Sequence, residues 1–427
     1  MIKVNKKLLA IICFAICSVG VFAQNNNPSN NGNTAYSRYG YGSMAETSFV
    51  RNRGMGGIGI GLRSNQQTNT MNPASYTAID SLTFLFDVGV NMGLTRYTEG
   101  NASQKEWSGG LDYLAMQVPM GKYFSGSLGI LPYSYVGYDY GSIDSVSVGT
   151  DDEDPLKVVK QYTGTGGLNK VYLGLGAMPS KWVSLGVNVG YVFGEIGNNY
   201  SVSFSDGTST PTYSTKAISA RALELQFGIQ LMHTFEEKHD VTLGATFTPK
   251  MGMWLDTEDI IASTESDTTS VDYKLSIPQA LGFGATYVYD DRLTVGFDFE
   301  KTYWADVKGL DPSLNVKDNL YRNTVRYAVG AEYLPSLTKR GYFNKMRYRA
   351  GLNYSDSYVT VKGSNTREIG MTLGLGLPIK GQKSMVNIAF EYVNVKPDAK
   401  KLLSENYFQL NFGLTFNEFW FFKNKLK

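Results

Sequence analysis

The chain has 427 residues and a nearly balanced charge, with 40 basic against 38 acidic residues. This balance provides no basic field that would attract nucleic acid or hold the chain on a membrane surface by electrostatics. After residue 23 no apolar run approaches the roughly 18 residues that a transmembrane helix needs. Glycine (46 residues) and aromatic residues (13%) are abundant, and a barrel whose strand faces alternate has such a composition.

The first residues predict a cleaved signal peptide over residues 1–23. A basic start is followed by an apolar stretch and by a small-residue exit that ends at Ala23. Both cysteines, Cys13 and Cys17, lie in this segment. The sequence therefore predicts a mature chain without a disulfide, a thiol nucleophile or a cysteine metal site, and we expect no cofactor.

Residues 24–80 are predicted to precede the regular part of the fold. An Asn-rich leader from Asn25 to Asn33 has too little apolar surface to order itself, and we expect it to be flexible. Residues 38–80 are rich in glycine and lack a long alternation of period two. They are predicted to form a compact, irregular segment.

From Leu82 onward apolar residues recur with a period of two, which predicts β-strands with one apolar and one polar or small face. The predicted strands are 82–95, 108–120, 123–136, 168–178, 182–195, 216–234, 241–255, 271–289, 292–304, 323–335, 345–356, 367–379, 384–395 and 405–417. These fourteen segments predict an all-β fold, a 14-stranded antiparallel transmembrane β-barrel over residues 81–417, followed by a basic periplasmic tail over residues 418–427. An even strand number lets such a sheet close without edges exposed to lipid.

The predicted connections alternate between short turns and long loops, as in barrels of the outer membrane of Gram-negative bacteria. All five tryptophans are predicted to lie at strand ends, where aromatic girdles meet the two bilayer interfaces; they are Trp107, Trp182, Trp254, Trp304 and Trp420. A soluble sandwich or propeller is the alternative, because its apolar face would also alternate with a polar one.

Enzyme chemistry is not expected. The only histidines, His233 and His239, flank a predicted turn, so a hydrolase triad or a metal site lacks its usual base or ligands. The run from Gly54 to Gly61 does not follow a strand and lacks the ending of a phosphate-binding loop. The acidic run 151–154 lies in a long loop, where a solvated surface is a better interpretation than a calcium site.

Strand parity places several charged side chains toward the barrel lumen, because their neighbours in sequence are apolar and face outward. These are Glu224, Asp298, Glu300, Arg326, Glu332, Arg347, Arg349 and Glu391. A base facing lipid at mid-depth would cost about 2–4 kcal/mol, which favours the lumenal orientation. We favour a network of salt bridges that braces the wall; alternatively, Arg326 receives the carboxylate of an amphipathic ligand.

Pro132 interrupts the third strand and predicts a kink or bulge, and with it a local gap in the wall.

Three short segments resemble the FadL-type transporters of long-chain fatty acids in outer membranes. Asn72, Pro73 and Ala74 are similar to the Asn-Pro-Ala motif of that family's N-terminal hatch, and residues 277–304 and 326–333 are similar to its late-barrel strands. The resemblance implies a 14-stranded barrel whose lumen is plugged by the hatch, with a kinked third strand that opens a side passage into the bilayer. The C-terminal tail departs from the family pattern, and the leader and tail resemble the Bacteroidetes branch.

Two functions remain open at this point. The first is passive uptake of long-chain fatty acids or other hydrophobic small molecules, with Asn72, Pro73 and Ala74 gating the lumen and the Pro132 kink forming the exit. The alternative is a non-transporting barrel that binds protein partners in an outer-membrane secretion or assembly complex, like the shuttle subunit of the type IX secretion system. An apolar, continuous lumen would favour the first, and a lumen filled by polar residues and loops the second.

Overall fold

The computed structural model describes residues 34–146, 156–206, 208–262, 266–269, 275–307, 321–339, 341–361, 363–379, 383–399 and 402–419. The predicted signal peptide, the Asn-rich leader, the acidic run 151–154 and the tail after residue 419 lie outside these residues. Within the ranges given, no helix is long and apolar enough to cross a membrane.

The alternating residues form β-strands close to the predicted positions. The strands are β1 (Ser43–Met44), β2 (Thr83–Glu99), β3 (Ala102–Pro119), β4 (Phe124–Val146), β5 (Leu156–Ser180), β6 (Val183–Phe204), β7 (Thr212–Phe235), β8 (His239–Thr248), β9 (Met251–Ala262), β10 (Ser266–Thr269), β11 (Ser276–Ile277), β12 (Gln279–Tyr289), β13 (Leu293–Tyr303), β14 (Thr324–Tyr333), β15 (Arg347–Asp356), β16 (Thr366–Pro378), β17 (Met385–Pro397) and β18 (Ser404–Phe419). Two single-turn helices, α1 (Val50–Arg53) and α2 (Tyr342–Lys345), and three short 3-10 helices (Ala35–Arg38, Pro73–Ala78 and Trp304–Asp306) complete the described elements.

The strands close into one antiparallel barrel. Strands β8 and β9 are two parts of one wall strand, interrupted at Pro249, and β10, β11 and β12 form the wall strand that pairs with it. Strand β18 pairs with β2 from Ser404–Thr98 to Phe419–Thr83, and this pairing closes the wall. The wall therefore has fourteen strands, which confirms the predicted fold class.

The wall strands differ greatly in length around the circumference of the barrel. Strands β4 to β7 contain 22 to 25 residues, whereas β13 to β15 contain 10 or 11. Much of the segments predicted as long loops, such as residues 96–107 and 196–215, therefore continues the strand ladder. The sequence period did not reveal this because those strand ends lose their apolar face where they leave the bilayer.

Three tryptophans depart from the expectation that all five lie at strand ends in the aromatic girdles. Trp107 and Trp254 lie within β3 and β9 rather than at strand ends, because these strands continue beyond the girdle. Trp304 follows β13 but is only 4% exposed, packed in the lumen instead of facing the bilayer interface.

The irregular N-terminal residues fill the lumen, as the fold prediction required. We call residues 46–80 the hatch and residues 34–45 the cap. The hatch is almost entirely buried inside the wall, with α1 and the 3-10 helix at Pro73–Ala78 as its regular parts. Its first residues follow directly on the cap, which lies nearer the end of the barrel that carries the long connections.

Candidate functional site

The hatch is anchored to the wall by buried ion pairs around Glu332 of β14. Nη2 of Arg51 in α1 lies 2.9 Å from Oε1 of Glu332. Two wall arginines, Arg347 and Arg349, approach the same carboxylate at 2.7 Å and 2.6 Å. Glu332 is 1% exposed, so one buried carboxylate joins three guanidinium groups. Such a group stabilises a fold only while all its partners are present.

A second anchor is formed by Arg53, also in α1. Its Nη2 lies 2.9 Å from Oδ1 of Asp112 on β3, and its Nη1 donates to the side-chain oxygen of Asn411 on β18 at 3.0 Å. Burial disfavours the charge of Arg53, but the nearby carboxylates of Asp112, Glu391 and Glu46 outweigh that effect and raise the pKa of its guanidinium. Arg53 therefore ties β3 and β18 to the same turn of the hatch.

The glycine-rich part of the hatch is held through its backbone. Oδ2 of Asp298 accepts hydrogen bonds from the backbone N–H groups of Gly59 and Ile60, at 2.6 Å and 2.8 Å. The guanidinium of Arg326 donates to the carbonyl oxygens of Gly56 and Gly57 at 3.3 Å. The wall charges on β13 and β14 thus satisfy hatch backbone groups that would otherwise be buried without partners.

Space for the hatch is made by a belt of inward-facing glycines, one on each of ten wall strands. These glycines are Gly174, Gly186, Gly228, Gly244, Gly284, Gly296, Gly330, Gly351, Gly374 and Gly413. A Cβ atom at any of them would lie within 3.0 Å of a hatch atom. The belt lets the hatch backbone approach the wall backbone closely at this level.

The Asn-Pro-Ala segment lies at the centre of these contacts. The side-chain amide of Asn72 donates to the carbonyl oxygen of Ile60 at 2.8 Å, and its Oδ1 accepts the backbone N–H of Ala74 at 3.1 Å. Pro73 begins the 3-10 helix at the position where a missing N–H costs nothing. Asn72 is completely buried, and the segment packs against the wall at Gly186 and Gly228.

The cap forms a second closure with aromatic residues from the loops. The ring centroid of Tyr41 lies 5.4 Å from that of Trp304, and the ring centroid of Tyr358 lies 4.4 Å from that of Trp304. The hydroxyl of Tyr41 donates to the carbonyl oxygen of Ser276 at 2.8 Å. At the start of the cap, the hydroxyl of Thr34 donates to the carboxylate of Glu405. The cap therefore crosses the lumen from β18 to β11.

A chamber of about 330 Å³ lies between the cap and the hatch. Its charged lining residues are Glu46, Lys170, Glu224, Glu300, Arg326, Asp356, Glu368 and Glu405. Both cations are engaged: Lys170 lies 3.0 Å from Glu224, and Arg326 lies 3.6 Å from Glu46. Six carboxylates against two cations make the chamber acidic, and no lining cation is left uncommitted for an anionic ligand.

The wall itself is incomplete between β3 and β4. The two strands pair only from Pro119–Ser125 to Leu114–Ile130, although both continue for more than ten residues beyond that point. The register of β4 against β5 shifts between Pro132 and Ser134, so Tyr133 is the extra residue of a bulge. Above the bulge, β4 pairs instead with β1 of the cap, Met44 opposite Ser134 and Ser43 opposite Tyr135.

The charged residues that parity assigned to the lumen take three kinds of position. Glu332, Asp298, Arg326, Arg347 and Arg349 contact the hatch or each other. Glu224 and Glu300 line the chamber, while Glu391 is buried in the wall close to Arg53 and Arg326. Among the described residues, no group of three or more His, Cys, Asp or Glu is arranged to hold a metal ion.

Sequence reasoning missed the hatch arginines Arg51 and Arg53 and the partner of Arg53, Asp112. It also missed the glycine belt. A signal for the belt was present, because nearly every predicted strand carries a glycine near its middle on the polar face. No local pattern points to the cap, since its contacts with the wall and the loops reach residues 90 or more positions away.

Several solved structures share this barrel fold. The chain is similar to the toluene transporter TodX of Pseudomonas putida (15% identity, TM-score 0.58, covering 89% of this chain and 99% of that one). It is similar to the toluene transporter TbuX of Ralstonia pickettii (14%, 0.57, 88% and 99%) and to a FadL homologue of Pseudomonas aeruginosa (15%, 0.57, 89% and 100%). At these identities the likeness shows the shared fold, which confirms the FadL-like barrel predicted from the sequence.

A comparison with curated protein sequences gives no match. The family model BamG matches residues 1–427, the whole of the sequence. A match of this extent covers the signal-like start, the hatch and the barrel together. On this basis the chain belongs to the BamG family.

Proposed function

We propose that this protein is a closed barrel of the outer membrane that acts as a partner-binding subunit of a larger outer-membrane assembly. The observation that carries the proposal is the double closure of the lumen. The hatch fills one level through ion pairs and the glycine belt, and the cap fills a second level with aromatic residues. A protein that conducts hydrophobic molecules would need a continuous apolar path, and here the space between the hatch and the cap is lined by six carboxylates.

The uneven height of the wall supports this proposal. A strand of 24 residues, such as β7, rises about 80 Å along its axis at roughly 3.3 Å per residue. At a tilt of about 40° it covers roughly 60 Å along the membrane normal, whereas the apolar band of such barrels is about 25 Å tall. Strands β4 to β7 therefore extend well beyond the bilayer on one side and offer partners a rigid sheet surface.

The test is native mass spectrometry of the barrel purified in mild detergent from its own outer membrane. We expect the barrel to arrive with partner proteins in a fixed stoichiometry and without a small hydrophobic molecule in the chamber. A lone barrel that carries a stoichiometric hydrophobic ligand would contradict the proposal. The same barrel reconstituted alone in planar bilayers is the matched control, and we expect it to show no channel activity.

A second candidate is passive transport of hydrophobic small molecules, and one observation favours it. Leu131 and Tyr133 line the chamber, and both lie on β4 where the wall separates from β3. A ligand in the chamber would thus be next to a lateral exit at the Pro132 bulge. In this case Asn72, Pro73 and Ala74, as part of the hatch, would gate the lumen. Because the lining cations are engaged, uncharged molecules such as toluene fit the chamber better than fatty acids.

Uptake experiments test this second function. Cells that produce the barrel would be given radiolabelled toluene or a labelled long-chain fatty acid, with a strain lacking the barrel for comparison. Uptake above the control strain would support transport. Equal uptake in the two strains would leave the partner-binding function as the better account.

A further inference from the structure

The free edge of β3 is the most unusual feature of the wall. Strand β3 starts at Ala102, yet on its β4 side it pairs only over residues 114–119. Of the residues that the structure describes, none pairs with this edge over residues 102–113, although β2 covers the opposite edge over the same length. Half of the backbone N–H and C=O groups of this stretch therefore point into the wall gap.

Part of this edge lies at the depth of the hydrocarbon. The six residue pairs between β3 and β4 rise about 20 Å along the strands and roughly 15 Å along the membrane normal, against an apolar band of about 25 Å. Outward-facing Leu111 and Trp107 follow above the last pair and are 49% and 69% exposed. An unpaired edge at this depth costs several kcal/mol per polar group, because lipid offers no hydrogen bonds.

The opposite side of the gap shows how such an edge is covered in this fold. Strand β1 adds to β4 in antiparallel register, and the N–H groups of Ala45 and Thr34 extend the contact by donating to the carbonyl oxygens of Tyr133 and Gly137, each at 3.0 Å. The cap segment that contains β1 thus already pairs with the β4 edge of the gap. The edge of β3 remains open over residues 102–113 among the residues that the structure describes.

We infer that the edge of β3 at residues 102–113 is a docking site for an extended segment of a partner protein, which adds to it as a β-strand. The inference rests on the proposed partner-binding function and names the contact site. The segment would place apolar side chains toward lipid beside Trp107 and Leu111. It would place small or polar side chains toward the lumen, beside Ser108 and Asp112.

The experiment is photo-crosslinking in living cells from a benzoylphenylalanine placed in turn at Glu106, Ser108 and Gly110, which share one face of β3. Thr95 of β2, which lies on the same inward face and is paired on both sides, is the matched control. We expect crosslinks from the three β3 positions to one partner segment, with attachment points that shift by two residues from one position to the next. This regular shift of the attachment points is the pattern that a strand paired with β3 would give.

Amide hydrogen exchange provides an independent readout. We expect the amides within residues 108–113 that point into the gap to exchange at least ten times more slowly in native membranes than in the purified barrel. If exchange is slow in both preparations and becomes fast when residues 24–33 are deleted, the inference is overturned. The leader of the same chain would then be the segment that pairs with β3. Fast exchange in both would overturn it outright. Crosslinks to partners only from other surfaces would overturn the inference but leave the proposed function standing.

Discussion

Arg51 of the hatch and Glu332 of β14, 281 positions apart, form an ion pair with 2.9 Å between Nη2 and Oε1, and both side chains are buried. The pair joins the plug to the wall at a point where two further arginines meet the same carboxylate. The hatch therefore cannot leave the lumen unless a buried charge loses its partner. An unpaired charge in a protein interior costs several kcal/mol of free energy.

Glu332→Gln should release the hatch. The change leaves Arg51, Arg347 and Arg349 without their shared counter-ion, and we expect the free energy of unfolding to fall by about 3–5 kcal/mol. Urea unfolding in detergent micelles measures this change, and limited proteolysis of the hatch shows where the structure loosens. Asp256→Asn is the control, because its pair with Arg221 is exposed and should contribute less than about 1 kcal/mol. Equal effects of the two substitutions would count against an anchoring role.

Gly351→Ala should disturb the glycine belt. An added Cβ would overlap backbone atoms of Met55 and Gly56, so the hatch must shift or strain. Overpacking of this kind costs about 1–3 kcal/mol, and thermal unfolding followed by tryptophan fluorescence would detect it. The control is Gly252→Ala on β9, where nothing lies within 4 Å of the new Cβ. If the control were as destabilised as Gly351→Ala, close approach to the hatch would not explain the belt.

Asp298→Ala should loosen the hatch turn at Gly59 and Ile60. The substitution leaves two buried N–H groups without acceptors, at a cost of about 1–3 kcal/mol. Hydrogen exchange of the hatch amides should become faster there and stay unchanged at the Arg53 anchor. Asp298→Asn retains one acceptor oxygen and should give an intermediate effect. Unchanged exchange in the alanine variant would show that other contacts hold this turn.

A disulfide between positions 44 and 134 should lock the cap onto the wall. Met44 and Ser134 are paired across β1 and β4, and directly paired residues have Cβ atoms about 4.5–5.5 Å apart, near disulfide geometry. The double variant Met44→Cys and Ser134→Cys should crosslink on oxidation, seen as a reductant-sensitive shift in gel mobility. If the lateral exit serves transport, the lock should abolish uptake, and reductant should restore it. The single-cysteine variants are the controls, and failure to crosslink would contradict the β1–β4 pairing.

Deletion of residues 49–74 tests whether the two closures act independently. The cap keeps its own contacts with Trp304 and Tyr358, so this deletion alone should raise the conductance of planar bilayers only slightly. Deletion of residues 34–74 removes both closures and should give a stable open channel. A fully open channel after the shorter deletion would show that the cap depends on the hatch.

The sequence predicted the number of wall strands and most of their boundaries, because a wall strand must present apolar side chains to lipid at every second residue. It also indicated the lumenal side of Asp298, Arg326 and Glu332, since parity decides which face a residue takes. The bulge at Pro132 was visible for a related reason, as proline cannot donate to the ladder.

The tertiary structure decided which residues meet. Periodicity assigns a residue to a face but carries no information about its partner, so the Arg51–Glu332 anchor, the β1–β4 pairing and the open edge of β3 could not be read from local patterns. Strand ends beyond the bilayer also lacked a signal, since no lipid enforces alternation there. The sequence by itself therefore determined a barrel with a hatch, and the long-range contacts determined that the hatch and the cap occupy its lumen at two levels.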